Sequence, residues 1–136
     1  MSKRTLLAAT GLLLSLYNTP LLAADLGQAS RAFENKDYSA ARDALEPLAR
    51  EGNPDALNML GQMYENGWGL SKDLEKAASL FKRGANQGHL DSVNGLRRIK
   101  NTEYQKELQS VRLSAEAGDA HAQNRLGEMY EFGYGV

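Results

Sequence analysis

Ser79-Leu-Phe-Lys82 sets a hydroxyl one helical turn ahead of an amine, a spacing at which a lysine can activate an attacking serine. Ser92-Val-Asn94 adds a loose second polar element. A hydrolase built on these groups also needs a Lys-Thr-Gly strand, and neither that tripeptide nor any strand pattern is present. His89 and His121 are the only histidines and lie far apart, with no cysteine or second histidine at ligand spacing, so no metal or other cofactor is expected. Both histidines are expected at the surface or at helix starts. With no cysteine, thiolate chemistry, disulfides and a lipid-attachment cysteine are excluded, and stability must come from packing.

The ends and the charge narrow the class further. Lys3 and Arg4, the mostly apolar run Leu6 to Leu16, and the small residues before Asp25 read as an export signal over residues 1–24, cut after Ala23 or Ala24. The apolar run is about half of the roughly 20 residues a membrane span needs, so no stable span is expected after its removal. Loss of Lys3 and Arg4 moves the formal charge from −1 to −3. A nucleic-acid partner calls for a basic face, and that balance argues against one. The expected location is the periplasm or the medium. Arg97-Arg98-x-Lys100 is the only basic cluster of the processed chain, read here as a solvated helix face in preference to an anion site.

What would position these residues is a repeat. Leu60-Gly-Gln-Met-Tyr-Glu-Asn-Gly-Trp-Gly-Leu70 recurs as Leu126 to Val136, changed only at Gln62/Glu128, Asn66/Phe132, Trp68/Tyr134 and Leu70/Val136. Gly52-Asn-Pro-Asp55, Gly88-His-Leu-Asp91 and Gly118-Asp-Ala-His121 mark the unit starts, with the middle unit shorter. Asn53 and Pro54 can open a helix whose apolar face is Ala56, Leu57, Leu60, Gly61 and Tyr64. Asn66 to Gly69 breaks it, and Asp73 can cap a second helix with Leu74, Ala77, Ala78, Phe81 and Ala85 on one face. In the next unit the glycine loop is missing. Thr102-Glu-Tyr-Gln105 offers a capping box there, so a tight turn and a second helix to about Ala117 are expected. Leu26 to Asn35 and Ser39 to Arg50 form a degenerate first pair, which Pro47 should kink.

Ala56-x-x-x-Leu60-Gly61-x-x-Tyr64-x-x-Gly67-x-Gly69-Leu70-x-x-Asp73-x-x-x-Ala77, with Phe81, Ala85 and Gly88 following, resembles the Sel-one-like repeat, a relative of the tetratricopeptide repeat. The first pair looks closer to a tetratricopeptide pattern around Asp37-Tyr-Ser-Ala-Ala41. The resemblance implies an all-α fold of αα-hairpin repeats stacked as a short right-handed superhelix. Its expected divisions are the signal (1–24), a tetratricopeptide-like pair (25–52), a Sel-one-like repeat (53–88), a shortened repeat (89–118) and an incomplete repeat (119–136). It also implies a non-catalytic adaptor or scaffold that binds a protein segment along its concave face.

If first helices line that face, Asn58, Asn94 and Asn124 are equivalent, and Gln62, Arg98 and Glu128 lie one turn further. An amide both donates and accepts, so three in a row suit the backbone of an extended guest. The competing reading is a merely solvated face. Trp68 and Tyr134, each between two glycines, are either loop-tip anchors or rings packed on the neighbouring hairpin, the latter preferred. Leu126, Met129 and Tyr130 are expected to lack a hairpin partner, which leaves a truncated array or self-association through the last repeat open. The other function classes weighed are a leading fragment that binds little, an envelope protein associated with peptidoglycan or another glycan, and, remotely, a penicillin-recognising hydrolase.

Overall fold

The computed structural model describes residues 25–135, so the expected export signal lies outside the described residues. Six helices follow one another: α1 (Leu26–Glu34), α2 (Tyr38–Arg50), α3 (Pro54–Asn66), α4 (Leu74–Ala85), α5 (Leu90–Glu116) and α6 (Ala120–Phe132). The molecule is all-α, with neighbours in sequence packed as neighbours in space.

Each start is set by a short polar side chain accepting from an otherwise orphaned backbone N–H, an interaction that typically contributes about 1 kcal/mol. Asn53 Oδ1 takes Ala56 N–H at 3.0 Å, and Asp73 Oδ1 takes Lys76 N–H at 2.9 Å. Asp37 and Asp119 cap α2 and α6 in the same way. α2 runs on for three residues beyond Pro47, to Arg50. The ends of α3 and α6 are closed by Gly67 and Gly133 at φ of 71° and 70°, a left-handed conformation that a side chain would strain.

Two apolar clusters result. The larger joins α1 to α4 through Ala29, Leu45, Leu57 and Met63, all fully buried, with Phe33 and Trp68 packed at its edge. The smaller centres on Phe81 of α4, also fully buried, with Ala77 and Ile99. Phe81 is clasped by two glycines: a Cβ at Gly61 of α3 or at Gly95 of α5 would stand 2.7 Å from its ring. Those bare backbones let three helices meet on one aromatic ring.

One expectation is overturned. No turn occurs at Thr102; α5 is a single helix of 27 residues. Nothing between Leu96 and Ala117 can stop a helix, since that stretch has neither glycine nor proline. Thr102 spends its hydroxyl on the Arg98 carbonyl one turn back, at 3.0 Å, where the capping role needed it to face forward. Consequently α6 packs against α5 alone, whereas α3 touches α1, α2, α4 and α5. Met129 is nevertheless fully buried, while Tyr130 and Phe132 remain largely exposed.

Candidate protein-binding surface

The amide row is uneven. Asn94 and Asn124 are exposed on α5 and α6, as expected of a contact surface. Asn58 is not: only 7% of it is exposed, and its Oδ1 has no hydrogen-bond partner. The correction follows from position, since α3 is enclosed by four helices and α6 by one. Asn94 accepts from Arg97 Nη1 at 3.1 Å, and Asn124 Nδ2 donates to Glu128 Oε1 at 3.4 Å. Gln62 is half-buried.

One turn along, Arg98 is already engaged. Its Nε and Nη2 donate to the two carboxylate oxygens of Glu65 at 3.1 and 2.9 Å, a two-pronged pair linking α5 to α3. The hydrogen bond from Arg98 to Glu65 raises the guanidinium pKa. A matching device fastens α6. Arg125 Nε and Nη2 donate to Glu107 at 2.7 and 3.2 Å, and Nη1 donates to Glu128 at 3.2 Å. These bonds push the Arg125 pKa up, and the Arg125 bond holds the Glu107 carboxyl below its ordinary range. Sequence spacing gave no hint of either pair, because partners 33 and 18 residues apart meet only once the helices pack.

Trp68 and Tyr134 do equivalent jobs. The Trp68 ring stacks on Tyr38 at 5.3 Å and meets Phe33 edge-on at 6.0 Å. Tyr134 stacks on Tyr104 at 4.5 Å and on Phe132 at 5.7 Å. Both rings are half-buried: Trp68 docks on the preceding helix pair, and Tyr134 on α5 and on the end of its own helix. Beside the second stack, between α5 and the loop after α6, opens a cleft of about 470 Å³.

The residues with chemical potential are placed as structure. Ser79 and Lys82 are both exposed on α4. His89 caps α5: its Nδ1 accepts from Ser92 N–H at 3.3 Å and lies 2.9 Å from Ser92 Oγ, while Nε2 faces Asp55 Oδ1 at 3.1 Å. This Asp-His-Ser chain has the membership of a nucleophilic triad, but Ser92 is fully buried against Gly84, where no substrate can reach its hydroxyl. Among the described residues no group of three His, Cys, Asp or Glu side chains could hold a metal ion, and no helix is long and apolar enough to cross a membrane.

Comparison with known proteins agrees with the helical pairs. A family model described as Sel1 repeat matches residues 54–89 and 120–136, which are α3 with α4, and α6 with its loop. It passes over most of the fused helix and the first pair. No curated protein matches the chain.

Proposed function

We propose that this chain, parts of which match the Sel1 repeat, whose proteins generally serve as interaction scaffolds, is an exported scaffold that holds an extended protein segment across its first helices and catalyses nothing. The observation that supports this reading most is the pair of exposed amides at equivalent places on α5 and α6. Asn94 and Asn124 offer accessible donors and acceptors, whereas Asn58 is buried between the helices. Gln62, Arg98 and Glu128 lie one turn further along the same helices, and Trp68 and Tyr134 brace the helices through their ring stacks.

Photo-crosslinkers at positions 94 and 124, with Glu75 on the exposed side of α4 as control, test it in cells. One protein should be captured from the first two positions and not from the third. Unchanged capture by the chain carrying Asn58→Ala, Asn94→Ala and Asn124→Ala together would remove the amide line from the account. Export is tested separately: the processed protein should begin at Ala24 or Asp25.

A second reading, that these helices mainly support further repeats, is favoured by Gly127. A Cβ there would meet nothing within 4 Å, whereas Phe81 presses on the equivalent Gly61. That reading predicts a broad melt and binding of dyes that report exposed apolar surface.

A further inference from the structure

The cleft beside Tyr134 lies where a hairpin partner would sit. Shifted by the 36-residue repeat, Leu57, Leu60, Gly61 and Tyr64 of α3 become Val93, Leu96, Arg97 and Lys100 of α5. In α3 this face is covered by α4, with Gly61 pressed on the Phe81 ring. In α5 it lines the cleft instead, because the helix runs straight on and its second half never folds back. The remaining wall is the stacked pair Tyr104 and Tyr134.

The substitutions at this face are not neutral. Arg97 stands where the closed hairpin needs a bare backbone, and Lys100 stands where it has a half-buried tyrosine. Both are exposed, and among the described residues neither is in a salt bridge. No carboxylate lines the cleft. Two cations therefore border an apolar floor, in a protein whose net charge is negative.

We propose that this cleft, on the face that α4 covers in the preceding unit, docks an acidic helical segment of a partner protein that brings one large apolar side chain toward Leu96 and carboxylates to Arg97 and Lys100. Such a segment takes the place of the absent second helix, with charges complementary to the two cations. The proposal rests on the scaffold reading and adds where, and to what chemistry, the scaffold binds.

The probe is a labelled peptide with the α4 sequence Leu74–Ala85 carrying Lys76→Glu, Lys82→Glu and Arg83→Glu, which keeps the Phe81 anchor and supplies carboxylates. Its anisotropy with the full chain should saturate. Affinity should fall about tenfold in Arg97→Glu/Lys100→Glu, and also in high salt, as expected for partly exposed charge pairs. Both altered residues are exposed, so unchanged circular dichroism should accompany the loss. A glutamine version of the peptide binding equally well, no saturation up to about 1 mM, or indifference to the double charge reversal would each overturn the proposal. So would a second copy of this chain occupying the cleft, seen as a concentration-dependent dimer that excludes the peptide. Crosslinks from positions 94 and 124 that survive the charge reversal, with no peptide binding, leave the scaffold standing without the cleft. Peptide binding with no crosslinked protein leaves the cleft without the amide line.

Discussion

The glycines inside the helices behave oppositely because of what faces them. A methyl group at Gly61 or Gly95 would press into the Phe81 ring at 2.7 Å, so Gly61→Ala and Gly95→Ala should each destabilise by about 1–3 kcal/mol through overpacking. Gly127 sits in a helix where an added Cβ would meet no other part of the molecule within 4 Å. Gly127→Ala should therefore stabilise by about 0.5–1 kcal/mol, by lowering the conformational freedom of the unfolded chain. Urea midpoints of the three variants would check the opposed signs. Titration gives a second expectation. The folded Glu107 pKa is depressed by Arg125, so its contribution is present above the ordinary carboxylate pKa and lost as pH falls through the lower folded value. Amide protection in α6 should drop on acidification, and Glu107→Gln should flatten that dependence.

At the level of elements, what was legible depended on punctuation. Asn53 and Asp73 announced α3 and α4 because a short acceptor before an amphipathic run has one favourable use, and the bonds to Ala56 and Lys76 are those expected. Thr102 misled because the same residue type inside a helix can bond backward, as it does to Arg98. A start signal creates a boundary only where the previous helix has a reason to end, and Gly67 supplies that reason in α3 but has no counterpart in α5. The burial of Asn58 was not legible, since its enclosure depends on how many neighbours α3 acquires. Thr102→Pro tests the fused helix directly. It removes an interior N–H and crowds the Arg98 carbonyl, so chemical denaturation should show a loss of about 3 kcal/mol or more.

Over the whole molecule, packing is unequal. The first four helices share one buried cluster, joined to α5 through Phe81, while α6 is held by α5 alone. Local opening follows contact density. Hydrogen exchange should therefore be faster in α6 than in α3 by about tenfold or more, equivalent to about 1.4 kcal/mol. Equal protection in the two helices would show that α6 has support beyond α5.

The unbroken α5 also works as a shaft. At about 1.5 Å and 100° per residue, its 27 residues span about 40 Å and set the phase of whatever hangs on the far end. One residue inserted near Asn101 would swing α6 about 100° round that axis, carrying Tyr104 and Tyr134 together away from Leu96 and Arg97. Four residues would bring the phase nearly back while lengthening the arm by about 6 Å. Spacing along this stretch is therefore an angular variable, and length changes should be tolerated in whole turns or not at all.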